Sequence, residues 1–474
     1  MSPEDETRKD QPLKDQPSGA RPLEHGGLFS SIFTSDEAAA VTSDRAWLQA
    51  FLDVELALAR ALATAGALPA GSVERLAKTL TVEGLDPVEI GRQARASGNP
   101  VVPFLSCLRS RLAEEEAACL HRGATSQDVL DSALALVARK AVGLTVTDLA
   151  RATTAALRLA RRHRSTLQLA RTLMQPALPS TFGLQAARWS SAIADASDHL
   201  THAVGEMGAE LGGAAGTLAS FGGDGLGGSS AGLEVRRLFA AELGLPLPDL
   251  PRHSDRQAVA RLASALAIVC GTCAKVGRDV ALLSMPEIGE LAEAGGEGRG
   301  GSSTLPQKAN PVFSILLVAN GRRAAGLAAG LLGSLDGELE RSAGAWHAEW
   351  TAVDDLLRAA AGSARGAADL LEGLQVHPAR MEANLQAQPA VFAERLRLEL
   401  EARAGRPRAQ ELLAEVAEAS RRDGISYRQA VEDLLARHPE AEPLDLVALF
   451  DPRGYLGAAE ALVDSVVRRQ GLPG

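Results

Sequence analysis

Eleven residues, Gly301-Ser302-Ser303-Thr304-Leu305-Pro306-Gln307-Lys308-Ala309-Asn310-Pro311, set hydroxyls, an ammonium and a carboxamide side by side behind a glycine-rich run that starts at Gly295. Read locally, the stretch is a linker running into a helix, with Asn310 as N-cap and Pro311 at the first helical position. That reading accounts for Asn310-Pro311 but leaves the paired serines and the lone Lys308 unexplained. A second segment, His121-Arg122-Gly123-Ala124-Thr125-Ser126-Gln127-Asp128, reads as a helix start in which Thr125 or Ser126 caps and Asp128 occupies the first turn. Hydroxyls and free backbone N–H groups at such a start also form an anion site suited to a carboxylate. A third, Arg171-Thr172-Leu173-Met174-Gln175-Pro176-Ala177-Leu178-Pro179-Ser180-Thr181-Phe182-Gly183, reads from its residue types as a Pro-kinked helix or a turn.

These segments are the breaks between long helices. From Ser126 to Arg162, and again after Thr181, apolar residues recur at helical spacing. From Arg256 to Met285, Val259, Leu262, Leu266, Val269, Cys273, Val276, Val280 and Leu283 alternate steps of three and four, the seam of a long packed helix. Further helices are predicted from Val312 to about Leu335 and from His347 to about Leu374. Helices of this length pack against others, so a bundle is expected. With 46% hydrophobic but 3% aromatic residues, its interior is built from Ala, Leu and Val. The chain divides into a polar tail expected to be disordered (1–25), a region of mixed-length helices (26–112), the long-helix bundle with its glycine-rich loop (113–375) and a small, charged helical region (376–474).

Among 474 residues the net charge is −10, with Lys and Arg scattered rather than clustered, which argues against a nucleic-acid surface. No run of about 18 uncharged apolar residues appears, and the polar N-terminus lacks the apolar segment of a secretion signal. A cytoplasmic protein with no membrane and no nucleic-acid partner is expected. Cys107, Cys119, Cys270 and Cys273 are too few for a disulfide framework. Cys270-x-x-Cys273 could suggest redox or metal chemistry, but it lies in a helical seam without a second Cys or His pair, so Cys273 is read as a small core residue.

The three segments resemble the three signature regions of the fumarase/aspartase superfamily, and Gly301 to Pro311 fits its Gly-Ser-Ser-x-x-Pro-x-Lys-x-Asn-Pro pattern at every fixed position. The resemblance runs from about Leu28 to beyond Leu374. Gly98-Asn99, His121 to Asp128, Gly212-Gly213-Ala214-Ala215-Gly216-Thr217 and Trp346-His347-Ala348-Glu349-Trp350 resemble most the 3-carboxy-cis,cis-muconate cycloisomerase branch, which also contains nitrosuccinate lyase. The resemblance implies an all-α, three-region fold whose central helices form a 20-helix core in a homotetramer, with active sites shared between subunits. It also implies a small dicarboxylate-type substrate, anti elimination or addition across a succinate-like skeleton, and neither metal nor organic cofactor.

Carried over position by position, the resemblance makes Ser302 the base, and Lys308 and Asn310 the groups that receive the charge driven onto a carboxylate when the neighbouring carbon loses its proton. Gly98, Asn99, Thr125, Ser126, Gln127, Thr172 and Ser303 become substrate-binding positions, with His121 a candidate proton donor. Arg256, Arg322 and Arg323 are candidate partners for a second carboxylate, each with structural ion pairing as the competing role. The signature from Arg171 to Gly183 departs from the family: Leu173 stands where the superfamily often carries His, and Pro176 where cycloisomerase relatives carry it. Expelling an amine or hydroxide needs a general acid, whereas a carboxylate or nitrite leaves unaided. Both nitrosuccinate and the cycloisomerase lactone fit that pattern; the departure at Pro176 from the cycloisomerase relatives favours elimination of nitrite from nitrosuccinate to give fumarate, with the lactonising cycloisomerase reaction as the alternative. A non-catalytic tetrameric scaffold is a third possibility, but it would have no use for Ser302, Lys308 and Asn310 together, nor for a glycine-rich loop.

Overall fold

The computed structural model describes residues 27–221, 229–295, 300–301, 305, 308–441 and 443–471. The polar tail, Ser302 and Ser303 lie outside them. The described chain is all-α, with two short antiparallel strand pairs.

Six long helices carry the architecture: α1 (Asp44–Thr64), α2 (Ser126–Arg162), α3 (Phe182–Gly205), α4 (Gln257–Leu283), α5 (Val312–Leu332) and α6 (Ala345–Glu372). Their starts are written in local chemistry. The Ser43 hydroxyl accepts from the Ala46 N–H at the head of α1, and Thr181 does the same for Leu184 at the head of α3. At α2 the Asp128 carboxylate reaches back to the Thr125 N–H (2.9 Å), half of a capping box. The head of α5 differs from expectation: Asn310 does not cap it. The Glu293 carboxylate accepts from the Phe313 and Ser314 N–H groups (3.1 and 2.8 Å), a stronger, charged acceptor at the positive end of the helix.

The α4 and α5 backbones approach closely because small residues meet there. A Cβ added at Gly321 would fall 2.5 Å from the Ala274 Cβ, and one at Gly277 2.9 Å from the Ser314 carbonyl oxygen. Cys270 and Cys273 belong to this seam, fully buried. Burial pushes both thiols up, Cys270 to about 12, so neither forms a thiolate near neutrality.

One core spans the N-terminal helices and the bundle, while Leu396, Leu400, Leu412, Val416, Val431 and Leu434 anchor a second, smaller core. The last helix, Ala459–Arg469, returns to the bundle, where Asp464 pairs with Arg164 at 2.7 Å.

Between α2 and α3 the chain forms a hairpin of β1 (Leu167–Thr172) and β2 (Gln175–Thr181), where the sequence suggested a kinked helix or a turn. Its two-residue turn, Leu173-Met174, has φ +50° and +66° at residues that lack glycine's freedom. Both side chains project into solvent, Leu173 96% exposed.

At the head of α2, three helices are joined through a buried arginine. Arg256 donates to Asp131 of α2 (2.7 and 3.2 Å) and to Glu349 of α6 (2.5, 3.0 and 3.1 Å). The Trp346 indole N–H adds a further bond to Asp131 (3.1 Å). Arg256 is therefore a structural cation and is not free to receive a substrate.

Two outcomes follow from this packing. Arg256→Met leaves two carboxylates buried without their cation and should cost roughly 3–5 kcal/mol, seen as a lower urea midpoint in equilibrium unfolding. Iodoacetamide at mildly alkaline pH should leave Cys270 and Cys273 unmodified in the native protein and alkylate both after unfolding, as read by peptide mass spectrometry.

Candidate active site

The residues singled out in the sequence gather at two places along the bundle. The first is the head of α2. Here Asp128, 1% exposed, accepts four hydrogen bonds: from the N–H groups of Thr125, Gly212 and Gly213 (2.9, 2.8 and 3.0 Å) and from His253 Nε2 (2.7 Å). One carboxylate thus pins the His121–Asp128 turn to the Gly212–Thr217 loop. Gly123 must be glycine: its φ is +80°, and an added Cβ would meet the Phe221 ring at 2.7 Å.

His121 is held by a residue the sequence reading missed. Glu55 of α1, fully buried, accepts from the His121 main-chain N–H and faces its Nδ1, each at 2.7 Å. Because an ionised carboxylate only accepts, Nδ1 carries the hydrogen and Nε2 is the free ring nitrogen. A glutamate inside an otherwise apolar helix face was the available signal.

Thr125 and Ser126 are partly exposed at this turn, and the Thr125 hydroxyl makes no capping bond. The Gln127 side chain behaves otherwise than expected. It is fully buried, its amide nitrogen donates to Asp131 (3.1 Å) and to the His253 carbonyl (2.7 Å), and its oxygen accepts from Arg341 (3.1 Å). With donors and acceptor committed, the side chain cannot contact substrate, and the main-chain N–H is what Gln127 contributes to the turn.

Gly98 ends the helix Pro87–Ser97 with φ +74°, and Asn99 accepts from the Val101 N–H (3.1 Å) to start the next turn. A Cβ added at Gly98 would lie 4.0 Å from His347 Nε2, so this segment and the head of α6 are neighbours.

The second place is the far end. Glu290, fully buried, accepts from Gln168 (3.1 Å), Arg171 (2.6 Å) and Asn384 (2.8 Å), tying the hairpin to the stretch that leads into the glycine-rich loop. Beyond it, the Asn310 N–H donates to the Gly300 carbonyl (2.9 Å) and the Lys308 N–H to that of Leu305 (3.0 Å). Lys308 is exposed and Asn310 half-buried. Gly300 has φ +72°, and its own Cβ would strike the Asn310 carbonyl oxygen at 2.7 Å, so only glycine closes this loop neck. Thr172 is exposed on the hairpin. Arg323, on α5, is spent on Asn320 (3.2 Å) and the Phe33 ring.

The 37 residues of α2 separate the two places by about 55 Å at 1.5 Å per residue. One chain therefore brings Gly98, Asn99, His121, Thr125, Ser126 and Gln127 to one end, and Lys308, Asn310 and Thr172 to the other.

A lyase family model matches residues 33–326. The 3-carboxy-cis,cis-muconate cycloisomerase of Bradyrhizobium diazoefficiens is 37% identical over 449 residues, 93% of this chain and 97% of its own length. The nitrosuccinate lyase of Streptomyces davaonensis is 38% identical, covering 93% and 94%. Among solved structures, the 3-carboxy-cis,cis-muconate lactonizing enzyme of Pseudomonas putida superposes with a TM-score of 0.85 at 33% identity, over 94% of this chain and 98% of that one. With this breadth of likeness, the chain belongs to the lyase family of the fumarase/aspartase superfamily and is an enzyme of that family.

Proposed function

We propose that the protein catalyses the lactonisation of 3-carboxy-cis,cis-muconate, in a site assembled from several copies of the chain. The observation that carries the chemistry is the hairpin tip. Where the resemblance puts imidazoles in relatives it carries Leu173, projecting into solvent beside Met174, and Pro176. A reaction that loses a carboxylate, or in reverse adds one, needs no acid at the departing oxygen. In lactonisation one carboxylate of the muconate adds across a C=C bond. The electron pair moves onto the carbon beside another carboxylate, whose growing charge Lys308 and Asn310 stabilise, and the Ser302 hydroxyl supplies the proton that completes the isomerisation. One proton is taken up overall, because the attacking carboxylate becomes a neutral lactone, and Ser302 regains its hydrogen from solvent.

The second reading is loss of nitrite from nitrosuccinate, in which Ser302 removes the proton and fumarate and nitrite depart. The same tip favours it, together with the 38% identical relative. The sequence alone placed this reading first. The near end-to-end likeness to several cycloisomerases, in sequence and in fold, supports the opposite order.

Assembly is supported by the separation of the two clusters and by unpartnered apolar surface. Ile315 and Leu332 of α5, Ile268 of α4 and the hairpin tip are all substantially exposed. A homotetramer would cover these faces and bring the Ser302 loop and the hairpin of some copies to the head of α2 in another.

Incubated with 3-carboxy-cis,cis-muconate, the purified protein should bleach the diene absorbance and yield the lactone. Nitrite and fumarate from nitrosuccinate, without lactonisation, would transfer the assignment to the second reading. Ser302→Ala should abolish turnover of either substrate while leaving the melting temperature nearly unchanged. For the shared site, Ser302→Ala and Thr125→Val chains, each inactive alone, should regain activity when dissociated and reassembled together, since some sites then draw each segment from an unmodified copy. Reassembled mixtures that stay inactive would place the whole site in one chain.

A further inference from the structure

We propose that the cavity between the N-terminal helices and α6 is a binding site for a small organic cation with an aromatic body. None of the signature segments supplies its polar groups, and the inference stands apart from the reaction proposed above, because binding is read without turnover.

The cavity encloses about 470 Å³, the size of a small-molecule site, and lies between the first turns of α1, the helix Pro87–Ser97, Pro100 and the early part of α6. Its surface is apolar and rich in aromatic rings in a chain that has few. Trp47 and Phe51 come from α1, Trp350 from α6, and Ile90 and Leu130 complete the apolar part. Every charged group lining it is an acid: Asp44, Asp354 and Asp355, with no Lys, Arg or His among the described lining residues. Such a cavity repels the carboxylates that the family's chemistry handles. A guest with a flat apolar body and one positive charge is complementary to it, through the faces of the indole rings as well as the carboxylates.

The acids are not equally satisfied. Asp354 is paired with Arg358 at 2.8 Å and accepts from the Trp47 indole N–H at 3.0 Å. Arg358 is itself anchored to the Thr42 hydroxyl and carbonyl (2.9 and 2.7 Å). Asp355, half-buried beside it, has no cationic partner among the described residues. Burial pushes the Asp354 carboxyl above its ordinary range; Arg358 and Trp47 oppose the push, and the charges of Asp355 and Asp44 add to it. Negative charge is therefore in excess around the cavity, and a bound cation would relieve it.

The aromatic groups are also held in place before any guest arrives. The bond to Asp354 fixes the Trp47 ring, and Trp350 packs edge-on against Trp346, 5.0 Å between centroids at 87°. Little ordering entropy is then lost on binding.

The test uses phenethylamine, a cation at neutral pH, and 2-phenylethanol, its neutral counterpart, titrated into the full-length protein by calorimetry and followed by tryptophan fluorescence. The amine should bind about 10-fold or more tightly than the alcohol. Asp355→Asn should bring the amine close to the alcohol and leave the alcohol unchanged. A second variant fills the space. A Cβ at Gly91, a helical position lining the cavity, would meet nothing within 4 Å, so Gly91→Phe should fold normally and abolish binding of both compounds. Equal affinity for amine and alcohol would overturn the proposal and leave only an apolar cleft. So would amine binding that survives Gly91→Phe, which would place it elsewhere, or no binding of the amine at millimolar concentration. If Asp355→Asn does not fold, the amine and alcohol comparison in wild type and Gly91→Phe decides the matter.

Discussion

The buried ion cluster at Arg256 is the constraint from which the rest of the structure follows. One guanidinium is sandwiched between Asp131 and Glu349 at the point where α2, α4 and α6 converge. Burial raises the affinity of Glu349 for a proton, while the Arg256 charge opposes that shift. Such clusters contribute little net stability, because desolvation consumes most of the Coulomb gain. Their geometry, however, tolerates no sliding. A shift of one helical turn along any of the three helices would strand a charge in the core, so the cluster fixes register where apolar Ala and Leu seams alone would permit slippage.

Fixed register turns α2 into a ruler. Its head carries the Asp128-pinned turn, its foot leads into the hairpin, and α4 runs from the first place to the second. The glycine-rich loop is therefore delivered to the hairpin end, where Glu290 and Glu293 hold its approach and the first turn of α5. The separation of the two clusters is a consequence of helix length, and no rearrangement of a loop within one chain removes it. Chemistry that needs both clusters becomes a property of an assembly, and the apolar residues left bare on α4, α5 and the hairpin tip are the surfaces through which copies of the chain can meet.

The long helices were legible because heptad spacing survives in a core made of Ala, Leu and Val, and family membership was legible because the stretch from Gly301 to Pro311 matches the superfamily signature. The hairpin was not. Two of its residues are prolines, Pro176 and Pro179, and its turn is made by Leu173 and Met174 in a conformation normally signalled by Asn or Gly. Nor could spacing reveal that Glu293 caps α5 in place of Asn310, since the partner lies 20 and 21 residues back in the chain. Structural ion pairing was the stronger reading of Arg256 from sequence, and its two buried carboxylate partners bear it out, although which acids they are could not be read from spacing.

Across the site, charge is arranged against the overall balance. The chain carries a net charge of −10, yet both ends of the bundle present positive groups: the N–H groups heading α2 at one end, and the exposed Lys308 at the other. The carboxylates near the head of α2 are turned inward and saturated, Asp128 by four donors and Asp131 by Arg256, Gln127 and Trp346. A polycarboxylate approaching that end therefore meets donors with the acidic groups withdrawn behind them. On the proposed reaction, the local field rather than net charge would admit an anionic substrate. Joining the two ends in one site would place positive groups at each extremity of a substrate whose own charges lie at its extremities. Its reacting carbons would then lie between, within reach of the hydroxyl that moves the proton.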